Sequence, residues 1–140
     1  VEVDADTGFV KVLNYWVVED CGRVINPQLV AEQQRGSVVH GLGDALYEHC
    51  IYDKTGQLQN ATMADYLVPM SGETPDIVIE HVTTPTSKTT LGAKGAGESG
   101  MAGVPQSILS AVNDAIRPFG GEVSAVPVTP EDVLKGTGQI

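Results

Sequence analysis

The segment of this chain that most limits its fold is residues 91–100, which read Leu-Gly-Ala-Lys-Gly-Ala-Gly-Glu-Ser-Gly. Glycine adopts backbone angles closed to other residues and lets a second molecule come within contact distance of the main chain. The segment therefore favours a loop that wraps a ligand, with an ordinary surface turn as the simpler alternative. Its one carboxylate, Glu98, is the candidate functional group.

A phosphate-binding P-loop shares part of this spacing. That motif requires glycine, four residues and then Gly-Lys-Ser/Thr, because its lysine meets the terminal phosphates. Gly92 and Gly97 are correctly spaced, but Glu98 stands where the lysine belongs and would repel a phosphate. A P-loop is therefore disfavoured.

A dinucleotide-binding fingerprint also shares letters with the segment, since Gly95, Gly97 and Gly100 form Gly-x-Gly-x-x-Gly. That motif must directly follow a buried strand, and an acidic residue must end the next strand about 20 residues later. The preceding residues 83–90 are polar and include a proline, and Glu122 begins the next predicted strand instead of ending it. The context disfavours a nucleotide site.

Length and charge limit the class of protein. At 140 residues, of which 41% are hydrophobic, the chain suits a single domain with its own core. A net charge of -10 argues against nucleic acid, because phosphates demand a basic surface. No stretch approaches the roughly 18 to 20 apolar residues needed to span a membrane. We therefore expect a soluble, cytoplasmic protein without a membrane span.

Two cysteines, Cys21 and Cys50, have no Cys-x-x-Cys spacing. Such a pair predicts neither a disulfide framework nor a zinc site. Free cysteine is among the most frequently buried residue types, so we expect two reduced, buried thiols. No metal-ligating residue is predicted.

Strand patterns occur along much of the chain. Residues 1–3 and 9–19 are rich in Val, Tyr and Trp and flank a turn, which predicts a β-hairpin. A second short hairpin is expected at 50–60. Apolar and polar residues alternate at 77–82, which predicts a half-exposed strand, and a last strand is expected at 122–126.

Two main helices complete the predicted fold. The first runs from Pro27 to about His49, with Asn26 as its cap and an inward stripe of Ala31, Val38, Leu42 and Leu46. The second begins near Pro105, and its inward residues are Ile108, Leu109, Val112 and Ile116. A short helix follows the cap residue Thr129. The predicted fold class is α+β, a two-layer arrangement of a mixed β-sheet with two main helices.

The first helix has a second patterned face, turned away from its apolar stripe. Gln33, Gly36, His40 and Gly43 recur there at helical spacing. An interior glycine costs roughly 1 kcal/mol relative to alanine, so two on one face need a reason. A closely packed neighbouring element would explain them, and so would a bulky cofactor hydrogen-bonded to the Gln33 amide. The spacing leaves both explanations open.

These segments resemble the C-terminal signature of the molybdenum hydroxylases, the family of xanthine dehydrogenase, aldehyde oxidase and carbon monoxide dehydrogenase large subunits. Residues 92–100, Gly-Ala-Lys-Gly-Ala-Gly-Glu-Ser-Gly, are similar to the family's glycine loop. Residues 33–46 are similar to its Gln-x-x-Gly segment, and residues 20–27 to its Asp-x-Gly and Asn-Pro pattern. His40 departs from the family, in which glutamine is common there, and we leave it out of the site.

The resemblance implies roles for individual residues. Glu98 corresponds to the active-site base beside molybdenum, which takes the proton from Mo–OH so that its oxygen attacks an electron-poor carbon, while hydride leaves to the sulfido ligand. The cofactor is a molybdenum–molybdopterin, in its simple or its cytosine dinucleotide form. Lys94 is either an anchor for the loop or a cation near the cofactor's anionic groups. The implied cofactor-binding residues are Gln33, Gly36, Ala93, Lys94, Gly95, Ala96 and Gly97.

The implied function is that of part of a larger oxidoreductase, which hydroxylates an aldehyde or N-heterocycle, or oxidises carbon monoxide, with water as oxygen source. Implied partners are the remainder of the large subunit, iron–sulfur and FAD domains or subunits, and a small-molecule substrate, in an oligomer. Because the chain opens on Val1-Glu-Val-Asp without methionine, we expect residues 1–140 to be a C-terminal segment, inactive by itself. The alternative is a non-catalytic assembly or binding module, against which the intact Glu98 argues.

Overall fold

The chain is built on two long helices and two pairs of short strands, in a computed structural model that describes residues 1–140. The predicted α+β class is confirmed. In chain order the elements are β1 (Glu2–Val3), β2 (Val10–Lys11), β3 (Asn14–Glu19), α1 (Pro27–Leu46), β4 (Asp76–His81), α2 (Val104–Ile116), a 3-10 turn (Arg117–Phe119) and α3 (Pro130–Gly136).

Both strand directions are present, one in each pair. β1 and β2 form the predicted antiparallel hairpin. β3 pairs in parallel with β4, in a register that runs from Asn14 opposite Asp76 to Glu19 opposite His81. The single strand predicted over 9–19 is therefore wrong: the segment divides into β2 and β3 because its two halves pair with different partners.

Two other predicted β elements are also corrected. No strand forms at 122–126, since both backbone polar groups of Val123 bond to the side chain of Asn113, each at 2.8 Å. The expected hairpin at 50–60 is reduced to one antiparallel bridge between Tyr52 and Leu58. In both places, side chains satisfy backbone groups that a strand partner would otherwise bond.

Helix α1 begins as the sequence predicts. Asn26 caps it, accepting a hydrogen bond from the backbone N–H of Leu29 at 3.1 Å, and Pro27 occupies the first turn. It ends at Leu46, before the expected His49. Of its predicted inward stripe, Val38, Leu42 and Leu46 are buried and Ala31 is half-buried.

Helix α2 crosses α1 at close range. A Cβ atom added to Gly41 would lie 2.5 Å from the Cβ of Val104, so only glycine permits this approach. Ile108, Val112 and Ile116 point into the core as predicted, whereas Leu109 is half-buried. The helix crossing is the centre of the core.

The remaining elements close the core. α3 contributes the fully buried Val133, and Thr129 caps it in the predicted way, through a reciprocal capping box with Asp132. Cys21 is a buried free thiol as expected, but Cys50 is exposed, because it lies in the loop beyond the end of α1. None of the helices is both long and apolar enough to cross a membrane.

Candidate functional site

The glycine segment 91–100 is an irregular loop that leads into α2. Its start is fixed to the segment after β3. Ala93 forms an antiparallel bridge with Gly22, and the backbone N–H of Lys94 donates to the carbonyl oxygen of Cys21 at 2.7 Å. A Cβ atom on Gly22 would lie 2.4 Å from the carbonyl oxygen of Gly92, so this contact requires glycine.

An ion pair strengthens the same attachment. The Lys94 ammonium lies 2.9 Å from the Asp20 carboxylate, which also accepts the backbone N–H groups of Gly22 at 2.9 Å and Thr84 at 3.0 Å. Hydrogen bonding from Thr84, then from Lys94, holds the pKa of Asp20 well below its usual range. Of the two predicted alternatives for Lys94, this geometry matches the loop anchor.

The middle of the loop is fixed to α1 through its carbonyl groups. The side-chain amide of Gln34 donates to the carbonyl oxygen of Ala96 at 2.8 Å. The Ser37 hydroxyl donates to the carbonyl oxygen of Gly97 at 2.7 Å, and the Gln33 amide reaches the same oxygen at 3.4 Å. The loop therefore turns two successive carbonyls toward the helix.

The residue after Glu98 is attached to a different element. The Ser99 hydroxyl donates a short hydrogen bond to one carboxylate oxygen of Glu19, the last residue of β3. Glu19 is buried, and its other carboxylate oxygen has no hydrogen-bond partner. Glu98 thus lies between a segment bonded to α1 and a residue bonded to β3.

The backbone N–H groups in the later part of the loop, unlike the carbonyl groups of Ala96 and Gly97, are not hydrogen-bonded to the rest of the chain. From Gly95 to Gly100, none of the backbone N–H groups donates to an acceptor within the chain. Successive unpaired N–H groups of this kind form a favourable environment for an anion or an oxygen-rich ligand. The loop therefore leaves these donors available to a ligand.

A concavity of about 260 Å³ lies between the loop and α1. Glu98 is exposed there, and its carboxylate makes no hydrogen bond within the chain. A Cβ atom added to Gly36 or to Gly95 would meet no atom within 4 Å, so the surface around the concavity is open. It is lined by Gln33, Gly36, Ser37, His40, Gly97 and Glu98.

A larger groove, of about 360 Å³, lies elsewhere and is mostly apolar. It runs between β2, the end of α1 and the start of α3, with Phe9, Ile51 and Leu67 among its lining residues. It shares no residue with the concavity at Glu98 and contains none of the predicted site residues. We therefore take the smaller concavity as the candidate functional site.

The predicted site residues fall into two groups. Gln33, Gly36, Gly97 and Glu98 meet at the concavity, and Gly95 and Ala96 lie in the adjoining stretch of loop. Ala93 and Lys94 instead contact the segment 20–22 at the start of the loop. His40, which the sequence interpretation left out, lines the same concavity as Glu98.

Three side chains that the sequence interpretation missed hold this loop, namely Glu19, Gln34 and Ser37. For Gln34 a signal was present, since it is polar and lies beside the apolar stripe of α1, which calls for a buried partner. Ser37 lies nearer to Gln33 on the opposite face, where a small polar residue gives no such signal. For Glu19 the signal was weaker, because a strand-end carboxylate is usually solvated. Nowhere in the chain do three or more His, Cys, Asp or Glu side chains gather in an arrangement that could hold a metal ion.

Comparison with known proteins places this chain in a defined family. Residues 1–75 match a family model described as a molybdopterin cofactor-binding domain. The nicotine 6-hydroxylase large subunit of Paenarthrobacter nicotinovorans is 46% identical over 137 residues, which cover 98% of this chain and 17% of that subunit. The carbon monoxide dehydrogenase large chain of Afipia carboxidovorans is 33% identical over 115 residues, covering 82% of this chain and 14% of that one.

The solved structure of quinoline 2-oxidoreductase from Pseudomonas putida 86 has the same fold, with a TM-score of 0.93 and 40% identity, and the likeness covers 98% of this chain and 17% of that chain. The fold and the family match therefore define a cofactor-binding domain of molybdenum enzymes. The chain belongs to the molybdopterin cofactor-binding family of molybdenum hydroxylase large subunits. It spans about one sixth of the length of the large subunits that it matches.

The residues at the concavity fit a molybdopterin. Such a cofactor is large, anionic and rich in hydrogen-bonding atoms. The unpaired N–H groups between Gly95 and Gly100 offer donors to it. The Gln33 amide both donates and accepts, and the bare backbone at Gly36 leaves room for a bulky group on α1.

Proposed function

We propose that this chain forms part of the active site of a molybdenum-cofactor-dependent oxidoreductase and supplies its general base, Glu98. The observation that carries the proposal is the position of the Glu98 carboxylate. It is exposed and unpaired at a concavity that is also lined by Gln33, Gly36 and Gly97, three of the residues expected to contact the cofactor. The family model matches residues 1–75, which include Gln33 and Gly36, and so supports the cofactor-binding part of the proposal.

The cofactor would be held from two sides. Gln33 on α1 hydrogen-bonds to it through its amide, and Gly36 gives it room on the same face. Backbone N–H groups of Gly95, Ala96 and Gly97 donate to it from the loop. Ala93 and Lys94 contribute by fixing the start of the loop to Asp20 and Gly22. When bound, the cofactor supplies a metal-activated oxygen derived from water and takes up the electrons that leave the substrate.

Glu98 would act as a general base that accepts a proton. A positioned carboxylate accepts the proton of the attacking oxygen as the bond to substrate carbon forms, which is general base catalysis. The glycines beside it leave space for substrate and cofactor to come close. The proposed substrates are an aldehyde or an aromatic N-heterocycle, which are hydroxylated, or carbon monoxide, which is oxidised. Relatives named for nicotine, quinoline, carbon monoxide and aldehydes support this range.

The proposal includes partners. Electrons must leave the cofactor, and we propose that iron–sulfur and FAD domains or subunits accept them, in an oligomeric, cytoplasmic assembly that includes the rest of the large subunit. Because the chain spans about one sixth of its relatives, we expect the isolated chain to be inactive. Release of cytidine monophosphate on acid treatment of the holoenzyme would test the cytosine dinucleotide form of the cofactor.

The test is a comparison of wild type with Glu98→Gln in the fully assembled enzyme. We expect molybdenum content to be unchanged and dye-linked oxidation of N-heterocycles and aldehydes to fall by roughly 10²- to 10⁴-fold, the usual contribution of a general base. Glu122→Gln is the matched control, since Glu122 is an exposed glutamate outside the concavity. Equal turnover in wild type and Glu98→Gln would remove Glu98 from the mechanism. Absence of molybdenum from wild type would favour the non-catalytic binding module.

A further inference from the structure

The polar side chains buried in this chain all hydrogen-bond to the same loop. They are Glu19, Gln34 and Ser37, with relative exposures of 6%, 0% and 6%. Each makes a hydrogen bond to the stretch from Ala96 to Ser99, which brackets Glu98. Burying polar groups opposes folding unless they are hydrogen-bonded. Here all three buried polar side chains make hydrogen bonds to one short loop.

We propose that Glu19, Gln34 and Ser37 are positioning residues that fix the Glu98 carboxylate at the concavity by holding the residues on both sides of it. This inference rests on the proposed role of Glu98 as the base. None of the three is among the catalytic or cofactor-binding residues that the family resemblance implies, and Glu19 and Gln34 do not line the concavity.

The glycine content of the loop explains why Glu98 needs neighbouring contacts to fix its position. Glycine loses more conformational freedom on ordering than any other residue, and Gly95, Gly97 and Gly100 surround Glu98. The Glu98 side chain makes no hydrogen bond of its own. Its position therefore depends on what holds its neighbours.

On the side before Glu98, the attachment is to α1. Gln34 is fully buried, and its amide nitrogen bonds to the carbonyl oxygen of Ala96, while its side-chain oxygen has no partner. That oxygen is close to Gly100, where an added Cβ atom would lie 2.3 Å from it. The Ser37 hydroxyl bonds to the carbonyl oxygen of Gly97. A rigid helix thus holds two successive peptide groups ahead of the base.

On the side after Glu98, the attachment is to β3. The Glu19 carboxylate accepts from the Ser99 hydroxyl, and its second oxygen is buried without a partner. The backbone of Glu19 is itself fixed, because its carbonyl oxygen accepts from the N–H of Val82 at 2.8 Å. The charge-assisted bond is therefore made from a well-ordered strand end.

Ser99 offers the most direct test, because it is exposed and its hydroxyl makes a single hydrogen bond, the one to the buried Glu19 carboxylate. In the assembled holoenzyme, we expect Ser99→Ala to lower kcat by roughly 10- to 100-fold with KM little changed, the effect of a small misplacement of a reacting group. Ser99→Thr keeps the hydroxyl and should keep kcat near the wild-type value. Ser124→Ala is the control, since Ser124 is exposed and makes no hydrogen bond.

A second readout does not depend on turnover. Amide hydrogen exchange at Met101, whose N–H donates to the carbonyl oxygen of Glu98 at 3.0 Å, should be faster in Ser99→Ala than in wild type and unchanged in Ser99→Thr. If Ser99→Ala impairs folding by leaving Glu19 unpaired, the double variant Ser99→Ala with Glu19→Leu removes both partners and should show the same loss of kcat. Unchanged kcat and unchanged exchange in these variants would overturn the positioning proposal.

Combination with Glu98→Gln separates this proposal from the one on which it rests. If the positioning residues act through Glu98, Ser99→Ala should lower kcat in the wild-type background and have no further effect in Glu98→Gln. If Glu98→Gln keeps full turnover, the base assignment fails, whereas faster exchange in Ser99→Ala would still support the hold on the loop. An equal loss of kcat in both backgrounds would overturn positioning through Glu98.

Discussion

The side-chain amide of Gln34, in the middle of α1, donates to the carbonyl oxygen of Ala96 at 2.8 Å and so joins the longest helix to the loop that carries Glu98. The same side chain is fully buried, and its oxygen has no partner. One half of this amide therefore stabilises the loop, while the other half carries an uncompensated cost of burial.

Two substitutions of Gln34 should differ in their effect on the free energy of unfolding. Gln34→Leu removes the buried unpaired oxygen but leaves the carbonyl oxygen of Ala96 without its donor, so we expect the two effects to offset each other and the free energy of unfolding to change by less than about 1 kcal/mol. Gln34→Glu leaves a carboxylate against the carbonyl oxygen of Ala96, and at pH 8 we expect destabilisation of about 3 to 5 kcal/mol. Denaturant unfolding of both variants gives the comparison. Equal stability of Gln34→Glu and wild type would contradict the assigned burial and contact.

The sequence predicted the local features of this fold because each depends on neighbouring residues. Asn26 and Pro27 at the start of α1, and Thr129 before α3, follow capping rules that need only a few adjacent positions. The glycine loop and the open face of α1 likewise follow from spacing. Their meeting at one concavity was implied by the family resemblance and not by the local pattern itself.

The features that were missed depend on contacts between distant segments. β2 and β3 look like one strand in sequence, and only their different partners divide them. Residues 122–126 include strand-forming residues, but the backbone of Val123 bonds to the side chain of Asn113 and not to a strand. Glu19 and Ser99 are 80 positions apart, so no local rule connects them. Burial of polar side chains is a property of the assembled core and is weakly encoded in local patterns.

Acid should weaken the attachment of the loop at Asp20. Hydrogen bonds from Thr84 and Lys94 depress the pKa of Asp20 in the folded chain. Because this folded pKa is lower than the unfolded value, the contribution to stability is fully present above the ordinary aspartate pKa of about 3.9 and is lost as pH falls toward the folded pKa. We therefore expect the attachment to weaken progressively below about pH 4.

The measurement is the decline in unfolding free energy between about pH 5 and about pH 2.5. Asp20→Asn should show a smaller decline than wild type, because it lacks the group whose protonation breaks the ion pair. Asp6→Asn is a suitable control, since the Asp6 carboxylate accepts no hydrogen bond in the chain. An identical decline in wild type and Asp20→Asn would show that the Lys94 contact does not hold the loop.

The cap of α3 should affect stability without affecting the site. Thr129 and Asp132 satisfy each other's backbone donors, so Thr129→Ala should lower the free energy of unfolding by about 1 kcal/mol. Neither residue lines the concavity at Glu98. We expect molybdenum content and turnover to stay at wild-type values at temperatures where the variant is folded. A selective loss of turnover would show that α3 is coupled to the site.

Two glycines of α1 make a matched pair, because both lie inside the helix but face different surroundings. A Cβ atom on Gly36 meets nothing within 4 Å, whereas one on Gly41 lies 2.5 Å from the Cβ of the fully buried Val104. Gly36→Ala should therefore stabilise the fold by up to about 1 kcal/mol through helix propensity. Gly41→Ala should destabilise it by about 1 to 3 kcal/mol, because the helix crossing must open.

The two variants should differ from each other in molybdenum content in the opposite sense to their difference in stability. The methyl group added by Gly36→Ala lies at the concavity, where the proposed cofactor approaches α1, so we expect lower molybdenum content in a protein that is more stable. Gly41→Ala should lose molybdenum only in proportion to the unfolded fraction. Thermal unfolding and metal analysis on the same preparations distinguish the two. Full molybdenum content in Gly36→Ala would show that this helix face does not contact the cofactor, and the open surface at Gly36 would then need a different partner.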